Sequence, residues 1–306
     1  MLYHYTNIKG LDGMLKSKCL WLVSSQSMSD ITDRFYGNLF ATVALLKSDD
    51  QDIKLLREHL TAQDIIDINM QTFEVDFYSA SFCNRSNNDY LWENYADSNK
   101  GVCLAFDDSF LRRHMNSVII DNLEKIDEDD EITEHDKDLI LPRKVEYGYP
   151  IDLFIKVIKD TKKMAISEDD CDFSDPLTKQ HYKDWLLFSL IILAGVIKGK
   201  NFSQEEEIRF LFQNRYSDSY IKHSGIYALE KMRMIKVFEL LGIDKEIKDE
   251  KNRRMELNLG SAFSSDLIPT IIVGNDIDEN IIDLKEKIKQ SGLSKTKLLN
   301  RKGEEL

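Results

Sequence analysis

Residues 201–212, NFSQEEEIRFLF, are where polar and apolar residues begin to alternate after a long apolar run from Trp185 to Ile197. Side chains of a strand point alternately to two faces. A strand over Gln204–Phe212 therefore puts Glu205, Glu207 and Arg209 on one face and Glu206, Ile208 and Phe210 on the other. A fixed carboxylate of this kind can stabilise a positive charge that develops as a bond breaks. The same residues also read as a solvated acidic edge with an ion-pairing arginine. Arg209 is expected to orient Glu207 or Glu205 by pairing with it. A third arrangement gathers Asp30, Asp33, Glu205 and Glu207 around magnesium, as in a metal-dependent nuclease.

The elements that must hold these residues are short strands and helices in mixed order. Leu2–Thr6 (LYHYT) reads as a strand rich in aromatic and β-branched residues. Asn7 caps a helix through Ile8, Leu11, Met14 and Leu15, and Cys19–Val23 is a second buried strand. Ser24–Gly37 reads as a loop. Helical patterns fill 39–70, Thr72–Cys83 alternates as a strand, and Asp89–Ala96 is a short helix carrying Trp92 and Tyr95. Gly101–Phe106 is a buried strand and Lys144–Tyr149 a short one. Residues 151–166 and 177–199 read as helices, and a further helix spans Ile226 to Leu241. Arg254–Leu259 and Leu267–Gly274 are strands, Asp278–Gln290 a helix, and the Lys-rich C-terminal segment a solvated helix. Strands at both ends with helices between them fit α+β better than a doubly wound parallel sheet. One α+β domain over 1–306 is expected, with an acidic surface insertion at about 121–138 and helical insertions at about 150–200 and 214–251.

Composition narrows the function classes. The formal charge of −13 over 306 residues gives no support for broad electrostatic binding to nucleic acid or anionic membrane. The four cysteines have no CxxC spacing and the six histidines no HExxH, so reduced buried thiols and no metal centre are expected. Neither GxGxxG nor GxxxxGK[ST] occurs. The run 186–197 is too short to span a membrane, and MLYHYTNIKG has no signal-peptide character. A cytoplasmic protein with no membrane contact is expected.

Several blocks together resemble a bacterial family known as domain of unknown function 2971: LYHYT (2–6), CLWLVS (19–24) with Asp30 and Asp33 after it, and SFC (81–83). The set continues with LWENYADSNKGVCLAF (91–106), EEEIR (205–209) and IIVG (271–274). The WxxYAD…KGVC block is the most specific. Ser29-Asp30-Ile31 stands where the family usually has asparagine, aspartate and proline. The family name carries no activity.

A second resemblance carries chemistry. An H-x-[ST] strand near the start and an E-x-E strand near the end are similar to the ADP-ribosyltransferase fold, matched here by His4-Tyr5-Thr6 and Glu205-Glu206-Glu207. This resemblance implies a core of short strands split by helical insertions and NAD as substrate. It implies that His4 and Thr6 anchor NAD, that Glu207 stabilises the ribosyl cation and that Glu205 orients or deprotonates an acceptor. Trp92 and Tyr95 would shape the nicotinamide pocket, though at i and i+3 they more simply pack a helix on the core. Arg209, or Arg85 in the polar loop, would take the pyrophosphate. The acceptor would be a protein, a nucleic acid or water, and an antitoxin-like partner fits a toxin or phage-defence role. The same fold serving as a non-catalytic sensor of a nucleotide or partner, its carboxylates structural, is the alternative.

Overall fold

The computed structural model describes residues 1–25, 32–61, 63–66, 76–114, 143–165, 175–214, 246–247 and 254–306. The acidic insertion at 121–138, the helix read over 226–241 and Asp30 lie outside the described residues. Helix and strand are mixed around a largely antiparallel sheet, which makes the class α+β.

The chain opens with β1 (Leu2–Thr6), α1 (Ile8–Ser17) and β2 (Cys19–Ser24). Asn7 caps α1 by accepting from the Gly10 N–H, and Lys18 ends it in a left-handed conformation. Leu11, Met14 and Leu15 form the buried stripe of α1, at the spacing a helix needs to dry one face. Helix α2 (Thr32–Lys47) begins inside the segment read as a loop, because Tyr36, Phe40, Ala44 and Leu45 supply one apolar face. Helix α3 (Gln51–His59) precedes β3 (Asp76–Cys83), α4 (Asp89–Asn94) and β4 (Val102–Phe106). Then come β5 (Arg143–Lys144), β6 (Glu146–Tyr147), α5 (Ile151–Ala165), α6 (Pro176–Gly195), β7 (Ile197–Lys198) and β8 (Glu207–Asn214). Strands β9 (Glu246–Ile247), β10 (Arg254–Asn258) and β11 (Thr270–Val273) lead to α7 (Ile281–Gln290) and β12 (Lys297–Asn300). The Lys-rich end is thus partly a strand: β12 lies parallel to β11, with Leu298 buried in the core and Lys297 exposed.

In the main sheet the order is β12-β11-β4-β1-β3-β2-β10-β9, while β8 runs along the other edge of β3 and pairs in turn with β5. One edge of β3 is shared. β1 meets it at Tyr3 and Cys83, and β2 meets it at Val23 with Ser79 and Ser24 with Tyr78. The sheet therefore forks between β1 and β2.

Cross-strand partners share a face, so the register sorts the side chains. Leu2, His4 and Thr6 lie opposite Phe106, Leu104 and Val102, on the face packed under α1 with Phe82 and Phe210. Tyr3 and Tyr5 lie on the other face with Cys83, Cys103, Trp92 and Ile272. A second apolar core joins α2, α5 and α6 through Phe40, Leu45, Phe154, Ile158, Tyr182 and Leu186. Among the described residues no helix is long and apolar enough to cross a membrane.

The family-like block 91–106 contains a run of left-handed residues. After α4, Asp97, Ser98 and Asn99 are all left-handed, with φ of 50°, 50° and 68°. Three such residues in succession store strain that the surroundings must over-determine. The turn is tied by its amides: Ser98 to the Glu93 carbonyl, Asn99 to that of Trp92, and the following Lys100 to that of Asp97. The Asn99 carbonyl accepts from Asp276, and Gly274 is pressed so closely against it that a Cβ there would overlap that oxygen. Gly274→Ala is expected to lower stability by about 2 kcal/mol or more, read as a shift in urea midpoint at unchanged slope.

Candidate functional site

The face that carries Tyr5 and Cys83 also carries the acidic strand. Cys83 lies opposite Glu207 and Ser81 opposite Arg209 across β3 and β8, so Glu207, Arg209 and Ser81 project together. Glu205 arrives by a different local route from the one read in the sequence. Residues Lys200–Glu205 form a 3-10 turn, Glu206 is left-handed at φ 49°, and the strand begins only at Glu207. The left-handed residue turns Glu206 outward, where it pairs with the half-exposed Arg85, and leaves Glu205 and Glu207 both facing in.

These groups are not a solvated edge. Glu205, Glu207 and Arg209 are 2%, 4% and 1% exposed, and Lys198 from β7 is 5% exposed beside them. Arg209 grips Glu207 with two nitrogens, Nε to Oε1 at 2.9 Å and Nη2 to Oε2 at 3.2 Å, while Nη1 donates to the Gly195 carbonyl at 2.8 Å. The Ser81 hydroxyl donates to Glu207 Oε1 at 2.5 Å. Lys198 Nζ donates to Glu205 Oε2 at 2.7 Å and stands 3.5 Å from Glu207 Oε2. The Tyr95 hydroxyl donates to Glu205 Oε1 at 2.7 Å. The backbone N–H of Glu207 donates to the Tyr147 hydroxyl at 2.7 Å. Two carboxylates and two cations thus form a charge-balanced cluster, the condition under which buried charges are tolerated.

The two carboxylates are driven apart in acidity. For Glu207, burial alone would raise the value, but the charges of Arg209 and Lys198 with the bonds from Arg209 and Ser81 hold it at about 2. For Glu205, burial wins over the Lys198 charge and pushes the carboxyl up. Burial and the Glu205 charge also push the Tyr95 phenol up, so it stays a donor.

Not all of the expected residues join this cluster. His4 and Thr6, read in the sequence as an NAD anchor, project from the opposite face of the sheet to Glu205 and Glu207, so the H-x-T and E-x-E residues do not share a face. His4 instead fills the fork in the sheet. Its Nδ1–H donates to the Ser81 carbonyl at 2.8 Å and its ring lies 5.6 Å from Phe82. Burial, partly offset by that bond, lowers its basicity and keeps the ring neutral. Thr6 sits against Gly10 at the start of α1.

Trp92 lies on the cluster's face as a core residue. It is wholly buried, edge-on to Tyr5 at 5.2 Å, with Nε1–H on the Ser86 carbonyl at 2.9 Å and the Arg301 guanidinium 5.0 Å over its ring. Tyr95, just beyond the end of α4, is 43% exposed and is the one of the pair that reaches Glu205. Asn88 ties α4 to the 3-10 turn, since its Nδ2 donates to the Gln204 carbonyl while its Oδ1 caps the helix. Arg209 is committed to Glu207 and enclosed; Arg85 has the exposure to meet an external anion.

Sequence reasoning missed Lys198, Ser81 and Tyr147 as members. A lone lysine in the apolar stretch GVIKG was the available signal for Lys198. Ser81 follows from the period of β3 once its register with β8 is known. As for magnesium, Asp30 is outside the described residues, and Lys198 and Arg209 already neutralise Glu205 and Glu207. Among the described residues no group of three or more His, Cys, Asp or Glu is placed to hold a metal ion.

An α+β protein with a buried, charge-balanced cluster on one sheet face is the class that this geometry defines. Residues 91–210 match the model of the family described as "Protein of unknown function (DUF2971)", a segment that runs from α4 to the arginine strand. The resemblance carried by the WENYAD…KGVC and EEEIR blocks is therefore found over that segment. No curated protein and no solved structure matches the chain.

Removing one partner of a buried ion pair strands the other. Arg209→Ala is expected to lose about 3–5 kcal/mol, whereas Glu207→Leu combined with Arg209→Met should recover most of that loss in the same denaturation assay. Acid stability follows from Glu207. Its folded value of about 2 lies below the ordinary 4.5, so its contribution is complete above 4.5 and is lost as pH falls through about 2. Glu205 has the opposite sign, because protonation relieves a raised carboxyl. The stability difference between wild type and Glu207→Gln should shrink on acidification across that window, by on the order of 3 kcal/mol.

Proposed function

We propose that the chain is a non-catalytic binding module, a sensor of a nucleotide or partner molecule, in which Glu205 and Glu207 serve the structure. The observation that supports this reading is saturation: all four carboxylate oxygens are engaged by Lys198, Arg209, Ser81 or Tyr95. A carboxylate forked by arginine and held at about 2 makes a poor base, and a nucleophile or cation stabiliser must be able to meet its substrate. What remains available at the edge of the cluster is a recognition surface: half-exposed Tyr95, the Arg85–Glu206 pair and the exposed aromatic Tyr149.

One observation favours a second reading, NAD-dependent ADP-ribosyl transfer. Two carboxylates on one face have acidities driven in opposite directions, a pattern that separates an ionised stabiliser from a proton carrier. Under it the nicotinamide–ribose bond breaks with its electron pair leaving on nicotinamide. Glu207 stabilises the ribosyl cation, and Glu205 takes the proton of the acceptor that attacks it. Tyr95 and Lys198 would have to move aside for substrate, and Arg85 rather than Arg209 would meet the pyrophosphate. The acceptor would be a protein, a nucleic acid or water, and a toxin or phage-defence role rests on the fold resemblance alone.

Nicotinamide release from NAD separates the two. Purified wild type, Glu207→Gln and Glu205→Gln, each with and without cell lysate as acceptor, are all expected to release none. Release by wild type that vanishes in a folded Glu207→Gln variant would overturn the binding-module reading in favour of the transferase.

A further inference from the structure

We propose that an aromatic platform beside the charged cluster, built from Tyr149, Tyr36 and Lys200, binds a nucleotide, the rings stacking its base and the lysine meeting its phosphate. The proposal rests on the binding-module reading and names its ligand. The short parallel pair β6–β7 brings Glu146 beside Ile197 and Tyr147 beside Lys198, and the Gly148 N–H donates to the Lys198 carbonyl at 2.9 Å. Inward, this unit sends Tyr147 and Lys198 to Glu207 and Glu205. Two residues past the end of each strand stand Tyr149 and Lys200, both exposed. Gly148 makes the turn with φ of 93°, a conformation that glycine adopts without strain.

Tyr149 is 68% exposed although its ring packs in an aromatic group. It stands perpendicular to Phe40 at 4.7 Å and tilted to Tyr36 at 6.3 Å, and Phe40 itself is buried. The rings are thus fixed from below while the Tyr149 ring meets solvent. Beneath them lie two buried glycines, Gly148 and Gly199, against which the side chains pack. A Cβ at Gly199 would lie 3.5 Å from the Tyr36 ring and 3.6 Å from Phe202, and one at Gly148 would lie 3.9 Å from Lys200 Cβ. Lys200, next to Gly148, is exposed. The neighbouring acids are Glu146 and Asp152, both exposed, and Glu206, which faces Arg85. A preset aromatic surface with a cation at its margin suits a planar π-face that carries an anion. A nucleotide offers both, and stacking needs no base-specific bond.

Calorimetric titration of the full chain with AMP, ATP, NAD and phosphate-free adenosine tests the site. Because Tyr149 is exposed, Tyr149→Ala should fold as wild type does, which a thermal melt verifies. Wild type is expected to bind nucleotides, Tyr149→Ala to weaken that binding at least about fivefold, and Tyr149→Phe to keep it. Lys200→Ala should weaken AMP while leaving adenosine unchanged. The proposal is overturned if wild type binds none of the four, or if binding survives Tyr149→Ala intact. In the second case the binding-module reading stands with its site elsewhere. Nicotinamide release would instead sink that reading while leaving the location of the platform a separate result.

Discussion

Arg209 and Glu207, two positions apart on one strand and both out of water, set the terms for everything around them. A buried guanidinium and carboxylate are tolerated only if each finds its full complement of bonds, and those bonds come from several separate elements. Ser81 on β3 supplies one, the Gly195 carbonyl at the end of α6 a second, and Lys198 on β7 the balancing charge. Lys198 needs Glu205, and Glu205 needs Tyr95, which is positioned by α4. Strand, helix end, turn and cap are thereby fastened to one another through charge.

The forked sheet decides what can stand beside that cluster. With β1 and β2 both drawing on one edge of β3, the carbonyl of Ser81 at the fork is met by a side chain, His4, while the hydroxyl of the same serine faces the other way to Glu207. Ser81 thus joins the two faces of the sheet, bonded to His4 by its backbone and to Glu207 by its side chain. Histidine and threonine on β1 belong to the hydrophobic face under α1, and no change of rotamer carries them through the sheet. The constellation of H-x-T with E-x-E is present in the sequence but divided in space.

The engaged carboxylates and the exposed aromatic margin both support the proposed binding module. Chemistry needs a group that is available when the substrate comes, whereas recognition needs a surface that is already set. Here the charged groups are engaged with one another and the exposed ones, Tyr149, Tyr95, Arg85 and Lys200, stand at their edge. The strained turn Asp97–Asn99 lies behind this region, clamped by Gly274 and by Arg301, which reaches Asn99 Oδ1 and covers Trp92. It follows α4 directly, beside Tyr95, whose hydroxyl donates to Glu205.

The local periodicities were legible in the chain alone. Leu11, Met14 and Leu15 at helical spacing, alternation through β3, and Asn7 and Asn88 as caps all depend on neighbours in sequence, so they can be read there. The pairing of Glu207 with Arg209 was legible for the same reason, since two residues on one strand face must meet. Burial of that pair was not, because a polar strand with alternate apolar residues looks the same whether its polar side meets water or Lys198. The left-handed Glu206 was equally hidden: a period-two strand and a turn followed by a left-handed residue both bring Glu205 and Glu207 to one side. The helix from Thr32 was obscured because its apolar face forms only against α5 and α6. Which face of the sheet receives His4 relative to Glu207 depends on two registers, β1 against β3 and β3 against β8, each between strands far apart in sequence. Only the tertiary structure decides such a register, since a shift of one residue would reverse it.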